Sequence, residues 1–227
     1  MDNRPLLLGH RGSRTRGCRE NTIAAFETAM RHGCDGFEFD VRLTCDERAV
    51  VCHDARSRGR LLAKNPASRL PHLPSLDDVL ARFAETAYLD IELKVAGMEE
   101  QLLSALEKCP PRAGYVVSSF LSQALTEMKA RSTTVPLGLI FERRKIPRWQ
   151  DLPVDYVMPH RSLVTPELIE QVHDAGKRIV TWTVNDKRSM RRFTEWGVDG
   201  IISDKTDVLA TTLRRQGGAS AEARRRL

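Results

Sequence analysis

The sequence lacks any long, uninterrupted run of apolar residues. No stretch approaches the roughly 18 consecutive apolar residues that a membrane-spanning helix requires. The apolar stretch within MDNRPLLLGHRG is too short for a secretory signal, and no small-residue cleavage site follows it. These absences argue against membrane insertion and predict a soluble, cytoplasmic protein.

Cysteine pairs at metal-binding or redox spacing are also missing. The five cysteines are odd in number and include no Cys-x-x-Cys pair. This pattern argues against a disulfide framework and against a structural zinc site. We expect reduced and partly buried thiols.

The chain has little excess positive charge outside its C-terminal residues. The formal net charge is +6, but residues 214–227 contain five arginines and a single glutamate. We therefore predict one domain over residues 1–216 and a disordered basic tail over 217–227, with a phosphate-rich partner for the tail as the alternative. No aromatic residues interleave with this charge, so we expect no nucleic-acid partner.

Apolar, strand-like segments alternate with amphipathic segments of helical period along the whole chain. Strands are predicted at 5–10, 36–44, 88–95, 114–120, 136–142, 154–160, 178–184 and 200–204. Helices are predicted at 21–33, 75–84, 98–109, 122–132, 165–176, 186–197 and 205–216. Asn21 and Gly33 are the predicted caps of the first helix. The segment 146–152 has room for no more than one turn.

This alternation predicts an α/β fold, a small single-domain (β/α)8 TIM barrel. Length alone would permit two small domains, but no composition break suggests a linker. The glycine-rich loop typical of an open, doubly wound sheet is absent. A short extra strand at 49–54 and a loop at 55–74 predict a small, abbreviated cap insertion after the second strand.

Carboxylates occupy strand positions where apolar residues would normally face a core. Glu38 and Asp40 lie two apart on the second strand, so they share a face, and Glu92 lies on the third. Active sites of parallel barrels form at the carboxyl ends of the strands. Three buried acids there require a cation, and an all-oxygen set suits Mg²⁺ or Ca²⁺ better than Zn²⁺.

Two histidines and several cations accompany these acids. His10 ends the first strand and His53 ends the extra one, and imidazoles there can exchange protons at neutral pH. Arg11 and Lys94 add positive charge suited to a phosphate. The alternative is that the acids form structural salt bridges with Arg11, Lys94 and Arg42. The whole set favours phosphodiester cleavage over sugar or acyl chemistry.

Eight short motifs extend this reading over nearly the whole chain. They are GHRG (9–12), ENT (20–22), FEFDV (37–41), VVCHD (50–54), IELK (91–94), VSSF (117–120), WTVN (182–185) and GVDGIISD (197–204). In this order they resemble the glycerophosphodiester phosphodiesterases. The resemblance implies a TIM-barrel enzyme that splits a glycerophosphodiester into glycerol 3-phosphate and an alcohol such as choline or ethanolamine.

The resemblance also implies roles for individual residues. By motif position, it implies an acid–base pair at His10 and His53. It implies one divalent cation, Mg²⁺ or Ca²⁺, bound by Glu38, Asp40 and Glu92. Arg11 would contact the phosphate, Lys94 would lie beside it, and Glu20 would order the first loop or touch the site. Trp182 and Phe120 would wall the glycerol side, with core packing as the alternative for Phe120.

The abbreviated cap departs from the pattern of many relatives, which carry an inserted subdomain of several dozen residues. The segment here offers Arg56, Arg58 and Arg60, either as substrate contacts or as solvated charge. An open mouth leaves the alcohol undetermined and keeps a lysophospholipase D-like activity as an alternative. A non-catalytic phosphate-ligand-binding barrel is a second alternative, although no histidine or acid of the set is missing. The nucleophile, the glycerol 2-hydroxyl or water, and a monomeric or homodimeric state stay open.

Overall fold

Eight parallel strands form a closed barrel in the computed structural model, which describes residues 4–15, 17–142 and 147–213. The strands are β1 (Leu6–Gly9), β2 (Gly36–Leu43), β3 (Ala49–Val51), β4 (Arg56–Ser57), β5 (Arg60–Leu61), β6 (Tyr88–Leu93), β7 (Tyr115–Ser119), β8 (Leu137–Phe141), β9 (Tyr156–Pro159), β10 (Arg178–Thr181) and β11 (Gly200–Ser203). The barrel contains β1, β2 and β6 to β11 in sequence order. It closes because β1 pairs in parallel with both β11 and β2. The predicted TIM barrel is confirmed.

Among the described residues, seven α-helices cover the outside of the barrel, with α7 following the last strand. They are α1 (Ile23–His32), α2 (Leu76–Phe83), α3 (Glu99–Lys108), α4 (Ser122–Arg131), α5 (Pro166–Asp174), α6 (Lys187–Trp196) and α7 (Thr206–Leu213). Each corresponds to a predicted helix. In the described part of the fifth βα unit, residues 147–155, the helical structure is one short 3-10 turn, Trp149–Asp151. The predicted tail at 217–227, and the domain boundary before it, lie outside the described residues.

The core has two parts, set by the alternation of side chains along the strands. Phe37, Phe39 and Val41 of β2 point outward into the main core beneath the helices, where the ring of Phe37 stacks on that of Phe26 with centroids 4.2 Å apart. A smaller apolar cluster that includes Leu8 fills the barrel itself. Because alternate residues face opposite sides, the positions between these outward residues of β2 face the barrel interior.

The start of α1 differs from prediction. Thr22, not Asn21, is the N-cap, and its hydroxyl oxygen accepts a hydrogen bond from the Ala25 amide at 3.2 Å. Asn21 adopts a left-handed conformation with φ of 55°, and its side-chain amide donates to Asp40 Oδ2 at 2.7 Å. The predicted N-cap was therefore wrong by one residue, because the Asn21 side chain is used by the barrel interior. The predicted C-cap, Gly33, is confirmed with φ of 91°.

A small insertion follows β3, as expected for the cap. It consists of the two-stranded β4–β5 hairpin and two 3-10 turns, Leu62–Lys64 and Ala67–Arg69. Leu62 and Leu70 bury its underside against Val50 and Cys52. This anchorage fixes the insertion beside the carboxyl end of β2.

Two further sequence expectations concern absences. All five cysteines fall within the described ranges and form no disulfide. Among the described residues, no helix is both long enough and apolar enough to cross a membrane.

Candidate active site

Three buried carboxylates meet inside the carboxyl end of the barrel. Glu38 and Asp40 lie on β2, and the register of β2 against β6 sets Asp40 beside Glu92. One oxygen from each carboxylate lies within 4.8 Å of the others. The side chains are 9% exposed or less, so water contributes little to their solvation.

Burial and neighbouring charges shift the pKa values of the three carboxylates in this acidic cluster. Burial raises the pKa of Glu38 well above its ordinary value, and the charges of Asp40 and Glu92 raise it further. Burial and Asp40 likewise raise the pKa of Glu92 to about 7. Burial also favours the protonated form of Asp40, but the charges of Lys94 and Arg11 outweigh it and lower its pKa. The cluster favours binding of positive charge.

These carboxylates fit a divalent cation. Glu38 Oε1 and Asp40 Oδ1 are buried and have no hydrogen-bond partner, although Lys94 Nζ lies 3.4 Å from Asp40 Oδ1. Unpaired buried carboxylate oxygens are costly unless a cation binds them. Hard oxygen donors with no His or Cys among them suit Mg²⁺ or Ca²⁺.

The salt-bridge alternative accounts for only part of the cluster. Arg11 Nε lies 3.2 Å from Asp40 Oδ2, and Lys94 Nζ donates to Glu92 Oε1 at 2.6 Å. Glu38, in contrast, accepts a hydrogen bond from the backbone amide of Arg11 at 2.8 Å and pairs with no Lys or Arg side chain among the described residues. Arg42 forms no ion pair with these acids among the described residues, and its Nε donates to the His53 carbonyl oxygen at 2.8 Å. Arg11 and Lys94 therefore pair with Asp40 and Glu92, whereas the basic side chain beside Glu38 is the imidazole of His10, 4.0 Å away.

The GHRG loop after β1 requires glycine for a steric reason. Arg11 has φ of 53° and Gly12 has φ of 82°. A Cβ on Gly12 would lie 2.6 Å from the Ala25 carbonyl carbon, closer than real Cβ contacts occur. The close approach of the loop to α1 turns the Arg11 amide toward Glu38. Glu20 then accepts a hydrogen bond from the Arg11 guanidinium at 2.8 Å.

The two histidines each have one ring nitrogen bound to an aspartate. His10 Nδ1 lies 2.7 Å from Asp204 Oδ1, and His10 Nε2 is 4.0 Å from Glu38 Oε2. Asn185 donates to the other Asp204 oxygen at 2.7 Å. His53 Nδ1 lies 2.8 Å from Asp54 Oδ1. In each case Nε2 is the nitrogen left for a ligand.

Asp204 is a strong anion. Although burial opposes ionisation, the hydrogen bonds from His10 and Asn185 lower the pKa of Asp204 to about 2. This ionised carboxylate fixes the orientation of the His10 ring through its contact with Nδ1. This aspartate was not predicted.

One cavity of about 220 Å³ joins these groups. The predicted site residues that line it are His10, Arg11, Glu38, His53, Glu92, Lys94, Phe120 and Trp182. The Phe120 and Trp182 rings meet edge to face with centroids 5.5 Å apart, and Lys94 Nζ lies 5.6 Å from the Phe120 centroid. Phe120 is 42% exposed, which argues against the core-packing alternative.

Two predicted site residues lie outside this cavity. Asp40 is fully buried beside the cavity, and one of its carboxylate oxygens lies within 4.8 Å of oxygens of Glu38 and Glu92, which line the cavity. Glu20 binds the guanidinium groups of Arg11 and Arg14 in the first loop, and its role in ordering that loop stays a prediction.

Sequence reasoning missed Asp90, which lies deeper in the barrel. Asp90 is completely buried, and its Oδ1 accepts the Ser118 hydroxyl at 2.5 Å, whereas Oδ2 has no partner. Burial is the main cause that raises the pKa of Asp90 to about 7. Its position two residues before Glu92 was the available signal, since alternate strand residues share a face.

The fold and the site together define a barrel hydrolase of phosphoric esters. Comparison with known proteins agrees. A sequence model of the glycerophosphoryl diester phosphodiesterase family matches residues 10–70 and 60–208. A glycerophosphodiester phosphodiesterase from Caldanaerobacter subterraneus is 30% identical, with 93% of this chain and 99% of the relative covered.

The chain belongs to the glycerophosphoryl diester phosphodiesterase family. The resemblance predicted from the motifs is thus confirmed, and so is the expected enzyme class, a phosphoric diester hydrolase.

Solved structures share the fold. A glycerophosphodiester phosphodiesterase from Thermotoga maritima superposes with a TM-score of 0.79 at 23% identity, covering 91% of this chain and 97% of the other. An Oleispira antarctica phosphodiesterase, solved in complex with the product sn-glycerol-3-phosphate, gives a TM-score of 0.82 at 23% identity, with coverage of 93% and 97%.

Proposed function

We propose that this chain catalyses metal-dependent hydrolysis of glycerophosphodiesters to glycerol 3-phosphate and an alcohol. One observation carries the proposal: three buried carboxylates, two of them with unpaired oxygens, adjoin a cavity that also contains two histidines and two cations. Family membership and the product bound to the Oleispira antarctica phosphodiesterase support the same substrate class.

Glu38, Asp40 and Glu92 would hold one Mg²⁺ or Ca²⁺ ion. Such an ion, when bound, offsets the negative charge of a phosphodiester and polarises its P–O bonds. Lys94 and Arg11 reach the same cavity with fixed positive charge. Because both already neutralise part of the cluster, they keep Asp40 ionised for a ligand role.

The two histidines would transfer protons. His10 is oriented by Asp204 through Nδ1, so its Nε2 can exchange a proton within the cavity. His53 is held in the same manner by Asp54. One imidazole would accept the proton of the attacking hydroxyl, and the other would protonate the departing alkoxide.

The attacking hydroxyl has two candidates. The glycerol 2-hydroxyl would give a cyclic phosphate that water then opens, whereas water could attack directly. Cleavage of a 2-deoxyglycerol analogue at an unchanged rate would exclude the cyclic route, and a trapped cyclic glycerophosphate would favour it.

The test measures glycerol 3-phosphate released from glycerophosphocholine and glycerophosphoethanolamine by EDTA-stripped protein, with and without added Mg²⁺ or Ca²⁺. Restored turnover that disappears in His10→Ala is expected. His173→Ala is the matched control, because His173 lies on α5 and binds Asp199, away from the cavity. Full turnover in the presence of excess EDTA would contradict the metal requirement.

The alternatives give different results in this assay. Turnover of lysophospholipids but not of glycerophosphodiesters would support the lysophospholipase D-like activity. Binding without turnover of any diester would support a non-catalytic barrel. Cytoplasmic location and a monomeric or homodimeric state stay predictions.

A further inference from the structure

A second pocket of about 250 Å³ lies beside the active-site cavity. His53 lines both, so the two spaces share a wall at one of the proton-transfer groups. The second pocket is formed by the end of the first loop and by the insertion after β3. We name it the arginine pocket after its basic residues, which are Arg19, Arg56, Arg58 and His72.

The arginine pocket carries unbalanced positive charge. Within the described part of the chain, Arg19, Arg56 and Arg58 form no ion pair with a carboxylate. The two acids in the lining are already engaged, since Glu20 binds Arg11 and Arg14 and Asp54 binds His53. Three guanidinium groups therefore lack a counter-charge.

The basic groups line one pocket although they come from separate segments, and the Arg56 guanidinium also donates to the Gly59 carbonyl oxygen at 3.2 Å. His72 Nε2 lies 2.8 Å from the hydroxyl of Ser57, a buried residue at the base of the β4–β5 hairpin. The pKa of His72 is lowered first by burial and then by the charges of Arg58 and Arg19. The field of these arginines thus reaches one point of the pocket.

The opposite side of the active-site cavity is different in character. There the wall is formed by Phe120 and Trp182, whose apolar rings suit the carbon atoms of glycerol. A diester whose phosphate lies at the acidic cluster and whose glycerol lies against these rings would direct its alcohol past His53. The alcohol would then enter the arginine pocket.

We propose that the preferred substrate carries an anionic alcohol, namely one bearing a further phosphate group. A guanidinium group can donate two parallel hydrogen bonds to a pair of phosphate oxygens. Three guanidinium groups provide more positive charge than a single carboxylate would balance, which favours a phosphate group. The same charge disfavours a cationic alcohol such as choline. This inference rests on the proposed function, because it assigns the alcohol subsite of the same reaction.

The experiment compares kcat/KM for three diesters that differ only in their alcohol. They are glycerophosphocholine, glycerophosphoglycerol, and glycerophosphoglycerol with a terminal phosphate, which are respectively cationic, neutral and anionic at the alcohol. Focusing of charged ligands by a basic cleft predicts about tenfold higher kcat/KM for the terminal phosphate than for choline. A carboxylate-bearing alcohol, glycerate, is a fourth arm, and a preference for it would overturn the assignment to phosphate.

The variants test whether the arginines cause this preference. In the triple variant R19Q/R56Q/R58Q we expect the preference to fall to about twofold or less, because these three exposed arginines supply the positive charge of the pocket. Turnover of the neutral diester should change little. Arg112→Gln is the matched control, since Arg112 is exposed, pairs with Glu85 and precedes β7 at the other end of the barrel.

The outcomes separate the two proposals. Turnover of all diesters with equal kcat/KM, or a preference unchanged in the triple variant, would overturn the inference and leave the proposed function standing. No turnover of any diester with either metal would overturn the proposed function, and the inference with it.

Discussion

Replacement of Asp90 by asparagine should make stability less dependent on pH. Asp90 is completely buried, and its pKa is about 7 instead of the ordinary 3.8. Because the folded pKa is raised, the stabilisation of the protonated form is complete below about pH 4 and is lost as pH rises toward 7. An asparagine does not titrate, so Asp90→Asn escapes this loss. The stability difference between variant and wild type should rise by about 2–3 kcal/mol from pH 5 to pH 8.

The assay is urea unfolding of metal-free protein, followed by tryptophan fluorescence at several pH values. EDTA is present throughout, because a bound cation would change the charge near Asp90. Asparagine also introduces a buried amide, which adds an offset that does not vary with pH. Ser118→Ala is the matched control: it removes the hydroxyl that binds Asp90 but keeps the carboxyl. Because that hydrogen bond lowers the pKa of Asp90, the loss of stability with rising pH should persist in Ser118→Ala and be at least as large as in the wild type. A variant-minus-wild-type difference that stays flat from pH 5 to pH 8 would refute the reasoning.

Three further predictions concern the site and the core. Asp204→Asn should lower kcat about 10- to 100-fold with little change in KM, because His10 loses the anion that orients it; an unchanged kcat from steady-state kinetics would contradict this role. Mg²⁺ or Ca²⁺ should bind more tightly as pH rises from 5 to 8, because protons compete for Glu92, whose pKa is about 7; calorimetry would detect this, and Glu38→Gln should weaken binding at every pH. Phe37→Ala should destabilise the fold by about 3–5 kcal/mol in urea unfolding, because its stacked ring is fully buried; a loss below about 1 kcal/mol would show that the core refills the cavity.

Sequence periodicity predicted most of the fold. All eight barrel strands and all seven helices were found near their predicted positions, because apolar alternation and glycine caps are local signals. The acidic cluster was also predictable, because Glu38 and Asp40 interrupt an apolar strand. Buried carboxylates without a partner cation would destabilise such a strand. Their contact with Glu92 followed from the adjacency of strands in a barrel.

The remainder depended on tertiary contacts that no local pattern contains. Asn21 is equally suited to cap a helix and to donate to Asp40, and only the folded barrel decides between these uses. Asp204 and Asn185 follow two late strands, and their relation to His10 depends on closure of the barrel. The arginines of the insertion could be recognised as charge, but not as a group facing one pocket.

The link between His10 and Asp204 joins groups that are 194 positions apart in the chain. During synthesis on the ribosome, His10 is translated early. Its contact with Asp204 can form only after all eight barrel strands have been translated. The nascent chain therefore gains a correctly oriented imidazole only when its last strand docks on its first. In a synchronised translation reaction, the time at which turnover first appears would therefore report the time at which the barrel closes.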